Sequence, residues 1–345
     1  MKLIYILSLA LLLSCNRAND EYPEWRWPEK EPEPVDVVEP NPDIASKGWV
    51  NVTADYAAIS EGIAIYRSPG TLQGVSAIAY LAVADPARAT WDVYSIDDPG
   101  LLGCSDPLRT PSEYYESKPA PVIVNGGFFY VDGGKSYSAS AAVSGGRTYG
   151  VNINYASEDW VTMYYPTRGV FYEKDGTLAA GWTYYVNDNK HYLYDKPAQN
   201  SWSAEPLAVP DAKFPSTAVD FKPLTAIGGG PVLLKGGEIR NTYREELFDG
   251  PSGIMCDSRH PRTSIGATAD GRIVLFVCEG RNMTDGVPGF TSAEEAQILK
   301  DLGCVEALNL DGGGSSCMLI NNQQTIKPSD GAQRPVASVV VLRSK

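Results

Sequence analysis

Short runs of apolar, β-branched and aromatic residues alternate along the chain with clusters of Gly, Pro, Asn and Asp. An apolar run of about four to eight residues stopped by a turn former is the pattern of a β-strand. It predicts strands over 77–84, 90–96, 121–124, 161–165, 169–172, 231–234, 272–277, 305–310 and 336–342. One stretch follows helical spacing instead: Thr291 or Ser292, then Ala293-Glu294-Glu295-Ala296-Gln297-Ile298-Leu299-Lys300-Asp301-Leu302, then Gly303. A hydroxyl at the N-cap, acids in the first turn and a terminal Gly bound this helix at both ends. Segment 52–66 fits strand or helix equally. Region 173–222, rich in Tyr, Trp, Asn and Asp, reads as a surface insertion with a few hairpins and a recognition role. The fold class is α+β: strand-rich mixed or antiparallel sheets packed on few helices in a single compact domain over 46–345.

The pattern fails at the N-terminal end. Met1-Lys2 precede an almost unbroken apolar run from Leu3 to Leu13, too short to span a bilayer, followed by Leu12-Leu13-Ser14-Cys15. A single positive charge, a short apolar stretch and a small residue before the cut make a secretory signal. The last four residues resemble a bacterial lipobox, so lipid on Cys15 and a place at the cell envelope are expected. From Asn16 to about Ala45 the chain has six prolines and nine acids against three bases, with little periodic apolar content. Such a segment buries too little surface to offset its ordering entropy and is expected to be a tether.

Composition narrows the chemistry. Forty-two acids against 29 bases give a net charge of −13, nearly half of it in the tether, so no basic surface for nucleic acid exists. The two histidines, His191 and His260, have no His or Cys partner at ligand spacing, which argues against a zinc hydrolase. Beyond Cys15 the cysteines are Cys104, Cys256, Cys278, Cys304 and Cys317, with no CxxC among them. At most two disulfides can form from five, and buried free thiols fit as well.

Four glycine-bearing motifs adjoin predicted strands: Asn125-Gly126-Gly127-Phe128-Phe129, Gly228-Gly229-Gly230-Pro231, Pro261-Arg262-Thr263-Ser264-Ile265-Gly266, and Asn309-Leu310-Asp311-Gly312-Gly313-Gly314-Ser315-Ser316. Glycines at strand ends let the backbone turn tightly and bring its N–H groups to a ligand oxygen. Four such turns carrying Asn, Arg, Asp and Ser point to one polar pocket. Neither nucleotide-binding fingerprint occurs. A triad of Ser315 or Ser316 with His260 lacks the Gly-x-Ser-x-Gly elbow.

These motifs in this order, with Glu279-Gly280-Arg281 and the helix between them, resemble the phosphodiester glycosidase family over roughly 120–345, whereas 46–119 match nothing. The resemblance implies hydrolysis of a sugar-1-phosphodiester at the anomeric bond, with no cofactor required. It implies substrate contacts at Asn125, Gly230, Thr263 and the loop from Gly312 through Gly313 and Gly314 to Ser315, and catalytic roles at Arg262 and Asp311. The family usually has Asp-Gly-Arg where this chain has Glu279-Gly280-Arg281, and the longer acid admits a different sugar or a displaced carboxylate.

Read from the residues, glycoside cleavage passes through an oxocarbenium-like state that a carboxylate must meet, and Asp311 and then Glu279 are the candidates. The departing phosphate needs a cationic fork and backbone donors, assigned here to Arg262 and the 312–315 loop. Each residue also has a structural use. Arg262 can form an ion pair at a sheet end, Asp311 can cap its glycine turn, and Asn125, Thr263 and Ser264 can bond backbone. Two other functions stay open: a phosphoglycan-binding lipoprotein without catalysis, and a phosphodiesterase that breaks the P–O bond with a divalent cation on Asp311, Glu279 and carbonyls.

Overall fold

The computed structural model describes residues 42–345 apart from 57 and 58. The expected signal and nearly all of the tether lie outside them. The body begins slightly earlier than composition suggests: Pro42–Ser46 is a short helix, and Ile44 is buried beside Trp49. Antiparallel pairing dominates, in one eight-stranded, one seven-stranded and one five-stranded sheet.

In the eight-stranded sheet, strands Ala79–Ala84, Ile273–Cys278, Arg262–Thr268 and Cys304–Asn309 lie side by side, and Val232–Lys235 follows. Apolar residues occupy both faces of these strands, which is why they read as continuous apolar runs. The helix Ser292–Asp301 covers one face with Ala296, Ile298 and Leu299. Of the two hydroxyl candidates Thr291 is the cap, and it closes a reciprocal capping box with Glu294. The other face meets the remaining sheets in the main core, around Trp91, Phe171, Trp182, Val232 and Leu308.

Of region 173–222, only the largely irregular stretch 195–222 runs as a surface segment; residues 173–194 are integral to a sheet. Strands Arg168–Lys174, Thr177–Asn187 and Lys190–Tyr194 form a meander in the seven-stranded sheet, turning at Asp175-Gly176 and Asp188-Asn189. Ala180, Trp182 and Tyr184 alternate inward and are buried, so the aromatic residues here build core. The run 161–165 forms no strand; Val161 is exposed, and only Tyr164 bridges, to Ala156. Segment 52–66 resolves into a 3-10 turn, Thr53–Asp55, and a strand, Ile63–Arg67.

In the five-stranded sheet, Ser338–Ser344 lies between Ala89–Ser95 and Val122–Asn125. Residues ahead of 118 therefore flank the two sheets that carry the motifs. The five cysteines among the described residues are free thiols, four of them buried.

Candidate active site

The glycine motifs meet at one corner, where strand ends from all three sheets converge. Asn125 ends Val122–Asn125, Thr263 opens the Arg262–Thr268 strand, Asp311 lies just past Cys304–Asn309, and Gly228 ends Thr225–Gly228. Backbone bonds tie them together: the Asp311 amide donates to the Gly126 carbonyl at 3.0 Å, Leu310 to Thr263 at 2.8 Å, and Gly230 to Asn309 at 2.8 Å. Glycine is required where these turns touch. A Cβ on Gly127 would lie 2.4 Å from the Gly228 carbonyl, and one on Gly229 only 2.3 Å from that of Asn309. Gly230 has φ +146° and presses against Phe248.

Asn125 and Thr263 are fully buried and serve this joint. Thr263 Oγ1 donates to Asn125 Oδ1 at 2.8 Å, and Asn125 Nδ2 donates to the Asp311 carbonyl at 2.6 Å. Their hydrogen bonds, like the contacts of Gly230, are spent inside the protein, where the sequence reading gave them to substrate.

Arg262 also departs from the fork expected of it. Its guanidinium is buried and donates to the carbonyls of Phe290 at 2.8 Å, Met255 and Ser258 at 2.8 Å each, and Ile254 at 3.4 Å. It pins segment 254–258 to the strand end. Backbone carbonyls satisfy its donors, and the buried Glu295 lies near enough to feel its charge. The amides of the 312–315 loop are largely spent as well, Gly313 on Pro261 and Ser315 on Gly312.

The cationic groups beside the glycine loop are Arg281 and Arg334, both on the carboxylate of Asp330. Arg281 NH2 would lie 2.8 Å from a Cβ on Gly313, and Arg334 NH2 would meet one on Gly314 at closer than contact distance. Both guanidiniums therefore close over the glycine loop behind Asp311. Arg334 donates to Asp330 Oδ2 at 2.6 and 2.9 Å and to Ser315 Oγ at 3.2 Å. Arg281 donates from Nε to His260 Nδ1 at 3.2 Å, with Asp330 3.9 Å from NH1. An Nδ1 that accepts leaves His260 neutral, and burial with the nearby Arg262 and Arg281 charges keeps its pKa low. Asp330 and Arg334 escaped the sequence reading because Pro328-Ser329-Asp330-Gly331 looks like an ordinary turn.

Asp311 is half-buried at the base of this cluster. Burial raises its carboxyl to about 6, and Asp330 adds to the rise, against hydrogen bonds from Ser315 and the Gly312 amide and the Arg334 charge. Glu279 is buried at the end of Ile273–Cys278. Its Oε1 accepts from the Lys327 amide at 2.9 Å, its Oε2 has no partner, and it anchors the segment that leads to Asp330 and Arg334. Among the described residues no group of three His, Cys, Asp or Glu side chains is placed to share a cation.

Two further buried acids flank the corner. Glu246 accepts from the Gly169 and Val232 amides, Thr242 Oγ1 and Trp182 Nε1, joining the seven-stranded and eight-stranded sheets behind Gly230. Burial outweighs these donors and pushes it up to about 7. Glu295, on the helix, is fully buried, and burial pushes it up to about 8 against the charge of Arg262 and the hydroxyl of Ser264.

The phosphodiester glycosidase family model matches residues 118–343, a span that contains every residue of this corner. The chain belongs to the phosphodiester glycosidase family. The mouse N-acetylglucosamine-1-phosphodiester alpha-N-acetylglucosaminidase is 35% identical over 88 residues, 24% of this chain and 16% of that protein. The bovine enzyme of the same name is 25% identical over 253 residues, 72% of this chain and 40% of its own length. The chain thus spans less than half of the curated relatives it matches. Among solved structures, the catalytic domain of the zebrafish enzyme, described as auto-inhibited by its pro-peptide, superposes with a TM-score of 0.54 at 20% identity, covering 81% of this chain and 82% of that one. A hypothetical protein from Synechocystis superposes at 0.53 and 18% identity, over 83% of this chain and 62% of that one. At these identities the likeness is one of fold. The phosphodiester glycosidase match starts just ahead of Val122–Asn125, leaving flanking strands and short helices outside it.

Proposed function

We propose that this protein hydrolyses a sugar-1-phosphodiester at the anomeric bond, releasing the sugar and leaving a phosphomonoester. The observation that carries the proposal is the closure of Arg281 and Arg334 over the glycine loop that follows Asp311. Asp311 then meets the positive charge that develops on the anomeric carbon, and the two guanidiniums receive the departing phosphate. Phosphate is a good leaving group, with a second pKa of about 6, so the reaction depends more on stabilised charge than on a strong acid. Asp311 acts ionised in this scheme, and activity declines as pH falls through its value of about 6.

Glu279 holds the 327–334 segment in place, and Arg262 holds 254–258. N-acetylglucosamine, the sugar in the relatives' names, is the first to test. Hydrolysis in oxygen-18 water is expected to place the label in the released sugar. Label in the phosphate instead would give the chain to the cation-assisted phosphodiesterases. The run Leu3–Leu13 and the Leu12-Leu13-Ser14-Cys15 motif support lipid on Cys15 and an envelope location. Fatty-acid labelling that persists in Cys15→Ser would refute that anchor.

A further inference from the structure

A cavity of about 330 Å³, within the range of small-molecule sites, opens beside the corner. It touches the glycine floor through Phe128 and Gly229, yet neither Asp311, the 312–315 loop, Arg281 nor Arg334 lines it. Its wall is aromatic. Trp202 is fixed by its Nε1 on the Asp249 carbonyl at 3.1 Å and by an edge contact with Tyr164. Trp160, at the rim, is 77% exposed and sits in the left-handed region at φ +58°.

A bulky residue held both strained and solvated needs a reason. The local structure fixes it there: Ser157 Oγ accepts from the Trp160 amide at 2.8 Å, and Asp159 Oδ1 accepts from the amides of Val161 and Thr162 at 2.8 and 2.7 Å. The indole is presented as a preformed flat surface with Tyr155 tilted against it, ring centres 6.5 Å apart. Deeper in, the Arg168 guanidinium, only 6% exposed, lies 4.3 Å from the Phe248 ring centre with its Nε unpartnered. The flat aromatic surface fits the apolar face of a pyranose, while Arg168, its Nε shut off from the cavity and its NH1 donating to the Glu246 carbonyl, holds the wall behind it.

We infer that this cavity seats a second sugar unit, stacked on Trp160, so that the preferred substrate is a disaccharyl or longer 1-phosphodiester. The inference rests on the proposed glycosidase reading. The ring in the cavity is not the one being cleaved, because the groups assigned to cleavage do not reach it.

The test compares methyl phosphodiesters of N-acetylglucosamine and of its β-1,4-linked disaccharide, each joined through C1. The expected result is a kcat/KM about 10-fold or more higher for the disaccharide, equivalent to about 1.4 kcal/mol. Trp160→Ala should erase that preference, mainly through KM, and leave the monosaccharide rate unchanged. Equal rates on both diesters, or a preference that survives Trp160→Ala, would overturn the second-sugar site while leaving the glycosidase assignment intact. If neither diester is hydrolysed, binding of the methyl disaccharide glycoside is read by tryptophan fluorescence. Quenching that Trp160→Phe weakens upholds the cavity without the reaction, and no binding rejects it.

Discussion

The corner around Asp311 and the aromatic cavity beside it share a floor but are built in opposite ways. The corner is made of backbone: four strand ends from three sheets and four glycine turns, locked by the Asn125, Thr263 and Gly230 contacts, with few side chains left free. The cavity is made mostly of side chains on loops, with Tyr130 and Arg168 from strands, drawn from positions as far apart as Phe128 and Ile254. The first design fixes a reacting geometry, because crowded backbone admits little change. The second lets recognition vary, since a loop residue can be exchanged without moving a strand.

The largest expected effect falls on the corner alone. Asp311→Asn should lower kcat by roughly 1,000-fold or more, in line with losses on removing a group that stabilises transition-state charge, while methyl disaccharide binding at Trp160 persists. Loss of both would mean that the two regions are one site. Arg262→Met tests what they share, since Arg262 anchors Ile254 at the cavity and Pro261-Arg262 at the corner. Stranding its buried carbonyls should cost about 3–5 kcal/mol in urea unfolding and weaken both functions together. Arg334→Ala should lower kcat/KM by about 100-fold, with KM for the disaccharide affected less than kcat.

The smallest effect is a stability control at a residue that lines neither the glycine loop nor the cavity, though it feels the charge of Arg262. Glu295 has its pKa raised by burial to about 8 in the folded protein and returns to an ordinary value on unfolding. Its contribution to stability is therefore full at acid pH and fades as pH rises towards 8. Glu295→Gln removes that loss, so at pH 8.5 its Tm should exceed the parent's by roughly 2–6 °C, with no difference near pH 4. Equal pH profiles would place the titrating group elsewhere.

The same contrast explains what the sequence could convey. The corner was legible because its geometry demands contiguous words: Gly126-Gly127, Gly228-Gly229-Gly230 and Asp311-Gly312-Gly313-Gly314 each stand for a backbone approach that a Cβ would block. The helix from Ser292 was legible for a similar reason, its boundaries being written in local caps. Donor direction was not. Arg262 sits in the more motif-like position yet turns inward, whereas Arg281 and Arg334 reach the loop, and only the fold decides which guanidinium finds carbonyls first. The meander 168–194 was obscured because Trp and Tyr look alike in a core strand and in a recognition loop. Trp182 is buried and Trp160 exposed, and local composition scarcely separates them.

Strand Ser338–Ser344 carries a consequence for biosynthesis. It lies between Ala89–Ser95 and Val122–Asn125, and its Ser338 carbonyl accepts from the Gly126 amide at 2.8 Å, beside the peptide that receives the Asp311 amide. The ribosome makes those partners more than two hundred residues apart, so the corner assembles only through contacts of very long sequence separation, a slow class of folding event. Nascent chains stalled before residue 338 should remain open to protease at Asn125-Gly126, and protection should appear only once this strand has emerged.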